Sequence, residues 1–595
     1  MSEAIIESVA ADPVRLAVFA NRLDSICRQM QNTLLRAARS SMINIARDFS
    51  CSIVTSENKL LVSAEGLPVH VLGSQYLAEA MCEMHPEFAE GDAFLHNDVY
   101  LGNSHGGDHC ILVPVFYEGE HVFTTVAKAH QADIGNALPT TYAPFAKDVY
   151  EEGALIFPCV RVQQDYEDVQ DIIRMCQRRI RVPEQWYGDY LAGVGAARIG
   201  ERRLKELCAE RGVDTVRTLI EEWFAYGERR MIAALKKMPA GRFSGTSVND
   251  PYPGLPDGVE IRGTTTIDPE EGRVEVDLTD NADNYPGGLN LSMACATAAA
   301  MIGVLNSIDP DVPHNYGSYS RITVLLRDGS LVGRPTFPHS CSMATTNFSD
   351  RVQGLTQTAF AELGDGYGAA EGNMGLSPAI GMIAGEDPGN KRPYITQVFL
   401  GSGGGPAAPT ADGWPTYALP ACAGLIHKDS AEVSEQRYPI RIYEESLVPD
   451  GEGAGRHRGG LGSRVVFGPL RGTMTATYAL DGHVNPPRGV RGGTNGSPQQ
   501  VWQLDVSGQR IDLDPVGAVD LQPGEAIVAM TSSGGGYGSP LDRDPERVRD
   551  DVSEGWVSRE RAESVYGVVL AESGTEIVLD RDATDQLRRK LKEQQ

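Results

Sequence analysis

The sequence predicts a mixed α/β (α+β), multi-domain protein, with an N-terminal helix/hairpin metal-site domain followed by β-rich and small-residue helix domains. Three observations predict this fold class. Apolar residues repeat at helical spacing from Leu16 to Leu34, strand-like alternation begins near Phe243, and 595 residues are ample for several cores. We predict four units: an N-terminal domain (1–240), a central α/β domain (241–445), a β-rich segment (446–530) and a C-terminal helical tail (531–595).

Composition limits the classes of function. The formal net charge of −27 and the pI near 4.9 argue against a nucleic-acid or anionic-membrane surface, because phosphate groups would be repelled. No apolar run reaches the roughly 20 residues of a spanning helix, and residues 1–16 lack the basic and apolar regions of a signal peptide. We therefore expect a cytoplasmic protein. The ten cysteines include no CxxC pair, which indicates reduced thiols.

The first elements follow from short-range patterns. Asp12-Pro13 is typical of a helix N-cap followed by a first-turn proline, so a long amphipathic helix should open the chain. Residues 47–74 predict a hairpin that turns at Glu57-Asn58, with Asp48 just before one strand and His70 near the end of the unit. Both side chains could point inward, but the residues by themselves favour a turn or cap aspartate for Asp48 and a hydrogen-bonded core histidine for His70.

The stretch from His96 to Asp133 concentrates groups that can bind metals, since six of the twelve histidines fall between His85 and His130. Its middle predicts a second hairpin. Residues 111–117 and 121–128 are β-prone runs separated by the glycine-containing loop 118–120.

The pairing of this hairpin determines which polar residues meet. If Tyr117 faces His121 across the turn, the same register places Asp108 opposite His130, about 5 Å away. His105 precedes Asp108 by three residues, and the intervening glycine pair allows a tight reversal that would bring its imidazole to the same point. Two imidazoles and a carboxylate suit a catalytic divalent ion, with Zn, Mn and Fe all compatible. The alternative is a set of hydrogen-bonded histidines beside a turn.

The remainder of the chain predicts scaffold. Helices should begin near Pro183 and Val213, strands should occupy 243–278 and 464–530, a small-residue helix should span 291–308, and a capped helix should open the tail.

Glycine is dense at 401–409, 451–464 and 532–540, and we interpret these runs as backbone-permissive turns. None matches a phosphate loop: there is no GxxxxGK[ST] and no GxGxxG between a strand and a helix. The chain also has no GxSxG elbow and no HExxH, which argues against ordinary serine hydrolases and zincins.

Six segments together resemble the hydantoinase B/oxoprolinase family over nearly the whole chain. They are NDVYLGNSHGGD, AHQADIG, EEGALIFP, RVPEQWYGDYLAGVGAARIGERRL, RYPIRIYEESLVPDGEGAGRHRGGLGS and GGGYGSPLDRDPERVRDDVSEGWVSRE. The resemblance implies one subunit of an ATP-dependent machine that opens cyclic amides or carboxylates ketones. It also implies an actin-like partner of the hydantoinase A type that binds ATP, which fits the missing phosphate loop and predicts a hetero-oligomer.

The resemblance also implies site residues. The family's His-x-x-Asp motif and following His map to His105, Asp108 and His130, and Asp48 becomes a fourth metal ligand. We name His70 and Asp133 as candidate catalytic residues.

We therefore predict a Zn-, Mn- or Fe-containing catalytic subunit of an ATP-dependent amidohydrolase that opens a hydantoin, 5-oxoproline or a lactam. In this hypothesis the partner phosphorylates the amide oxygen, and the metal site activates water. A ketone carboxylase subunit of the acetone or acetophenone type is the first alternative. A scaffold subunit whose ion only stabilises the fold is the second.

Overall fold

The computed structural model describes residues 12–64, 66–574 and 576–594. Residues 1–11, on which most of the signal-peptide argument depends, lie outside this range. The chain is a mixed α/β, multi-domain protein, as predicted. In the described part of the chain, no helix combines the length and hydropathy needed to cross a bilayer. The unit boundaries at 240, 445 and 530 stay predictions.

The helices start where the local signals place them. In the described residues the α-helices are α1 (Pro13–Ala37), α2 (Ser41–Asn44), α3 (Pro68–Val71), α4 (Ser74–Met84), α5 (Val149–Glu152), α6 (Gln170–Arg179), α7 (Pro183–Arg211), α8 (Val213–Leu235), α9 (Met293–Leu305), α10 (Tyr316–Tyr319), α11 (Phe348–Ala361), α12 (Ala431–Arg437), α13 (Pro545–Ser553), α14 (Arg559–Ser564) and α15 (Arg581–Lys592). The Asp12 carboxylate accepts a hydrogen bond from Val14 N at 3.0 Å, which caps α1. The predicted starts at Pro183 and Val213 are confirmed.

Within the ranges that the structure describes, the strands form sheets of seven, four, five, five and two strands. They are β1 (Phe49–Thr55), β2 (Leu60–Ser63), β3 (Ala93–His96), β4 (Asp108–Tyr117), β5 (Glu120–His130), β6 (Val160–Gln164), β7 (Glu167–Asp168), β8 (Gly241–Asn249), β9 (Val259–Asp268), β10 (Arg273–Asp277), β11 (Ile322–Leu325), β12 (Gly375–Leu376), β13 (Met382–Asp387), β14 (Arg392–Gln397), β15 (Ile440–Leu447), β16 (Ser463–Pro469), β17 (Met474–Leu480), β18 (Gln500–Leu504), β19 (Arg510–Asp512), β20 (Val516–Leu521), β21 (Ala526–Met530), β22 (Leu570–Ser573) and β23 (Glu576–Leu579).

The N-terminal sheet has the order β2-β1-β5-β4-β3-β6-β7 and is covered on both faces. One face packs its alternate residues against α1 and α7 in a large apolar cluster. The other face contributes Val54, Phe94, Cys110, Leu112 and Val126 to a smaller cluster with α4. At one end of this second face β1, β4 and β5 carry buried polar residues, and the candidate site lies there.

The turn between β4 and β5 differs from the prediction. Tyr117 pairs with Glu120, so the predicted pairing of Tyr117 with His121 across a three-residue loop is wrong. Glu118 and Gly119 form the turn alone, with φ of 52° and 84°. Two positive φ values give the twist that a hairpin favours. The register then shifts by one residue beside Val115, and this bulge restores the predicted pairing for the rest of the hairpin.

In the central part of the chain, two helices pack on a four-stranded sheet. The strands pack in the order β11-β10-β9-β8, and α9 and α11 contribute to the same apolar cluster. The predicted small-residue helix is α9; its side chains from Ala294 to Val304 are buried, and Ser292 caps it through Cys295 N at 3.2 Å. Small side chains allow this helix to approach its neighbours closely.

The two five-stranded sheets are β12-β17-β13-β14 with β20 beside β17, and β15-β16-β21-β18-β19. They share a core that includes Ile383 and Ala476 from one sheet and Phe467 and Ile527 from the other. Beyond them, the predicted helical tail also contains the hairpin β22–β23. Its four-residue strands are too short to show a clear alternation in sequence.

The three glycine runs meet in one place. Gly460 N donates to Gly405 O and Gly534 N donates to Gly460 O, both at 2.9 Å. A Cβ on Gly534 would lie 1.8 Å from Gly405 O, and a Cβ on Gly404 would lie 1.8 Å from Gly460 O. We call Gly404, Gly405, Gly459, Gly460 and Gly534 the glycine cluster. Its members are glycines because three chain segments approach one another so closely that no side chain fits between their backbones. This differs from the separate turns that we predicted.

Candidate metal centre

Three polar side chains meet at the base of the β4–β5 hairpin. Asp108 opens β4 and His130 ends β5, and the two are directly paired, which confirms the predicted register. His105 folds back from the preceding loop. A Cβ on Gly107 would lie 2.6 Å from His105 Cε1 and 2.8 Å from His130 Cε1, so only glycine leaves room for both rings here.

The three donor atoms form a nearly equilateral triangle. His105 Nε2 lies 3.1 Å from Asp108 Oδ1 and 3.0 Å from His130 Nδ1, and the third side, from His130 Nδ1 to Asp108 Oδ1, is 3.2 Å. Atoms bound to one ion at about 2.1 Å, in tetrahedral or octahedral arrangement, are about 3.0–3.4 Å apart. In the described chain these three residues are the cluster with donor atoms close enough to share an ion.

Hydrogen bonds on the far side of each ring determine which nitrogen carries the proton. His105 Nδ1 lies 3.1 Å from the carbonyl oxygen of Ser342, which can only accept, so Nδ1 carries a proton and Nε2 is the atom that has the lone pair in the neutral ring. His130 Nε2 lies 2.9 Å from Thr141 Oγ1. Burial lowers the pKa of His130 to about 4, so its ring is neutral at neutral pH. If Thr141 Oγ1 accepts from Nε2 of His130, the neutral rings of His105 and His130 both present lone pairs beside the carboxylate oxygen of Asp108, and such a donor set could hold a metal ion.

The second carboxylate oxygen of Asp108 is also engaged. Ser104 Oγ donates to Oδ2. His70 Nε2 lies 3.2 Å and Lys128 Nζ 3.8 Å from the same atom. Burial opposes ionisation of Asp108, but the interactions of its carboxylate with His105, His70 and His130 outweigh this effect, so the pKa of Asp108 lies well below its usual range.

Asp48 and His70 lie beside the triangle rather than in it. Asp48 Oδ1 is 3.7 Å from His70 Nε2, and its backbone carbonyl accepts from His130 N at 3.1 Å. Burial, followed by repulsion from Asp108, raises the pKa of Asp48 well above its usual range, while Lys128 opposes this rise. Burial lowers the pKa of His70, so its ring is neutral.

Asp133 has a different environment. Its carboxylate accepts from Gly135 N at 3.0 Å, from Arg181 N at 2.5 Å and from Arg181 Nη1 at 3.1 Å. These contacts join the turn after β5 to the segment between α6 and α7. The structure does not bring Asp133 into the three-donor cluster.

Other members of the site were missed by sequence reasoning. Tyr142 stacks on both His105 and His130, with ring centroids 5.3 Å apart in each case. Ser342 is 237 residues from its partner His105, and no local pattern links them. Lys128 could have been predicted from the sequence, because a residue two positions before His130 in a strand faces the same side of the sheet.

A buried glutamate extends the site behind His105. Ser342, which accepts from His105, donates its backbone N–H to Ser340 Oγ at 3.3 Å, and Ser340 donates to Glu152 Oε1. Burial raises the pKa of Glu152 to about 7, although the hydrogen bond from Ser340 favours ionisation. Sequence reasoning treated Glu152 only as part of a turn.

Glu152→Gln should make the protein less sensitive to alkaline pH. A carboxyl whose folded pKa is about 7, against 4.5 ordinarily, stabilises the fold fully below 4.5 and loses that contribution as pH rises through 7. The loss is about 3 kcal/mol at pH 8, and Gln avoids it. Thermal unfolding should therefore show that the stability of the variant, relative to the wild type, is higher at pH 8 than at pH 5.

The matched control is Glu151→Gln, whose side chain is 47% exposed and pairs with Lys147. It should follow the wild-type curve. Parallel curves for Glu152→Gln and wild type would contradict the prediction.

Comparison with known proteins gives consistent matches over the full length. A profile of the Hydantoinase B/oxoprolinase family matches residues 12–540. The caprolactamase subunit beta of Pseudomonas jessenii is 33% identical over 592 residues, covering 96% of this chain and 98% of that protein. The crystal structure of the ATP-dependent caprolactamase from the same organism superposes with a TM-score of 0.87 at 30% identity, covering 98% of this chain and 100% of that one. A nucleotide-free acetone carboxylase superposes with a TM-score of 0.84 at 18% identity over 98% of this chain and 83% of that one, which shows a shared fold.

Proposed function

The chain belongs to the hydantoinase B/oxoprolinase family, and we propose that it is the metal-containing catalytic subunit of an ATP-dependent amidohydrolase. Its substrate would be a cyclic amide, namely a hydantoin, 5-oxoproline or a lactam. An actin-like subunit of the hydantoinase A type would bind ATP and activate the substrate. The observation that carries the proposal is the convergence of three lone-pair donors within 3.2 Å of one another.

We propose that His105, Asp108 and His130 bind a divalent ion, Zn, Mn or Fe, and that Asp48 is the fourth ligand. The donor set fits, because the imidazole tautomer of His105 is set by a backbone carbonyl and the carboxylate of Asp108 is ionised. A divalent ion bound there would supply Lewis acidity, which lowers the pKa of water and polarises a carbonyl oxygen. His105, Asp108 and His130 are at most 1% exposed and Asp48 is 5% exposed, so the protein excludes bulk water from the reacting groups.

The other predicted catalytic residues would act through their neighbours. His70 places Nε2 on Asp108 Oδ2, and we propose that it orients that carboxylate so that Oδ1 faces the two imidazoles. Asp133 would keep the turn after His130 in place through Arg181. Both are positioning residues in this proposal.

The ketone carboxylase alternative is favoured by one observation, the shared fold with acetone carboxylase. In that reaction the same donors would bind the ion, and Lewis acidity would serve carboxylation of an activated ketone. The two proposals differ in substrate and in the need for bicarbonate, so one substrate panel separates them.

The purified chain alone should not turn over ATP, because it has no recognisable phosphate-binding loop. Co-expressed with its ATP-binding partner, it should open cyclic amides in an ATP-dependent reaction. The measurement is phosphate release and ring opening with hydantoin, 5-oxoproline and caprolactam, against acetone and acetophenone with bicarbonate. Chelator-treated complex is the control.

Rapid ATP hydrolysis by the isolated chain would refute the proposal that ATP binds to the partner subunit and not to this chain. Turnover of ketones and not of amides would replace the first proposal with the second. Full activity after complete removal of metal would exclude a catalytic ion.

A further inference from the structure

Lys128 is a buried cation beside the candidate metal centre. It lies in β5, where it pairs with Ser50 of β1 and Cys110 of β4. Its side chain is 2% exposed, and in the described part of the chain its ammonium group has no hydrogen-bond partner. Nζ lies 3.8 Å from Asp108 Oδ2, which is close enough for an ion pair and too long for a hydrogen bond. A buried ammonium in this position depends on the negative charge around it.

The surroundings of Lys128 differ on its two sides. Lys128 and His130 face the same side of the sheet, because strand side chains alternate. Further along the same face, Val126 belongs to an apolar cluster with residues of β3, β4 and α4, which excludes water. Toward His130 stand the two carboxylates of the site, Asp108 and Asp48. The positive charge of Lys128 is therefore directed by the fold at the carboxylates and poorly screened by solvent.

We propose that Lys128 is a fixed counter-charge that weakens and thereby sets the affinity of the His105–Asp108–His130 cluster for its divalent ion. The inference rests on the proposed metal site. A positive charge on Lys128 next to Asp108 would offset part of the negative charge that attracts the ion and would also repel the ion directly. By offsetting part of the charge of Asp108, Lys128 would leave a bound ion with more of its positive charge, which would favour Lewis acidity over tight binding.

This role predicts that removing the charge of Lys128 lowers the stability of the metal-free protein and raises its affinity for metal. Replacing a residue that only fills space would change both quantities in the same direction. In the metal-free protein, Lys128 compensates the buried charge of Asp108, so its removal should lower stability. In the loaded protein, its removal should strengthen metal binding. The stabilisation that metal confers on the fold should therefore be larger without the Lys128 charge than with it.

The test replaces Lys128 in the full-length chain. Lys128→Met keeps the length of the side chain and removes its charge, while Lys128→Arg keeps the charge. After stripping with a chelator, the affinities for Mn²⁺ and for Zn²⁺ are measured by calorimetry with a competing chelator. Lys128→Met should bind each ion about tenfold or more tightly than the wild type, and Lys128→Arg should match the wild type. Thermal unfolding without metal should show Lys128→Met as the less stable protein.

The control Lys59→Met removes the same charge from a side chain that is 30% exposed and pairs with Glu57, and its affinity should not change. Equal or weaker binding by Lys128→Met would overturn the inference. A Lys128→Met variant that folds only with metal would support it. If neither Lys128→Met nor Lys128→Gln folds with metal present, Lys128 is structural and the inference is overturned. A wild-type chain that binds neither ion would overturn the proposed metal site itself, and this inference with it.

Discussion

Replacing His130 with alanine should remove metal from the centre and abolish turnover while leaving the fold intact. The substitution deletes one corner of the donor triangle, since His130 Nδ1 lies 3.2 Å from Asp108 Oδ1 and 3.0 Å from His105 Nε2. Loss of a direct ligand should lower metal affinity by more than the roughly 10–100-fold typical of outer-shell partners. Elemental analysis of the purified variant, with circular dichroism for the fold, measures both effects.

His109→Ala is the matched control for this substitution. His109 is also a buried imidazole on the hairpin, but it faces the opposite side of the sheet and accepts a hydrogen bond from Trp186 Nε1 at 3.3 Å. It should lose some stability and retain full metal content. If His130→Ala keeps its metal and loses only activity, His130 is a proton-transfer or substrate-binding group. Collapse of its fold would favour a purely structural ion.

Gly534→Ala should prevent the chain from folding. A Cβ at this position would lie 1.8 Å from Gly405 O and 2.6 Å from Gly405 C, which are backbone atoms that cannot rotate away. The same backbone is tied into the glycine cluster by the hydrogen bond from Gly534 N to Gly460 O. We expect a loss of more than about 4 kcal/mol of unfolding free energy, at the extreme of single substitutions. Soluble yield and thermal unfolding measure it.

Gly195→Ala provides the comparison. Gly195 lies in α7, and an added Cβ would have its nearest neighbour, Thr33 Cγ2, at 3.8 Å. Alanine is favoured over glycine in a helix by about 1 kcal/mol, so this variant should be as stable as the wild type or more so. A stable, soluble Gly534→Ala protein would show that the three segments can move apart.

Local chemistry made much of the fold predictable. Asp12 and Pro13 determine where α1 begins, and the spacing of Leu16 to Leu34 determines the face that it buries. The β4–β5 hairpin followed from two β-prone runs and a glycine. The one-residue bulge beside Val115 was not predictable, because a two-residue turn with a bulge and a three-residue loop without one give the same pairing at the base.

The candidate site was predictable only as far as it is local. His105, Asp108 and His130 lie within one hairpin and its entry loop, so strand register was enough to bring them together. Ser342 and the glycine cluster depend on the packing of segments far apart in sequence. No periodicity or motif encodes those approaches, and the glycine runs looked like turns because close approach and chain reversal favour the same residue.

The contact between His105 and Ser342 has a consequence for when the centre can form. The two residues are 237 positions apart, and contacts that close such long loops form late. A nascent chain that has left the ribosome only as far as residue 240 already contains all three donors, but lacks the carbonyl that selects the tautomer of His105. If the centre binds an ion as proposed, the contacts around His105 would be complete only after the chain has been synthesised beyond Ser342 and the two regions have docked.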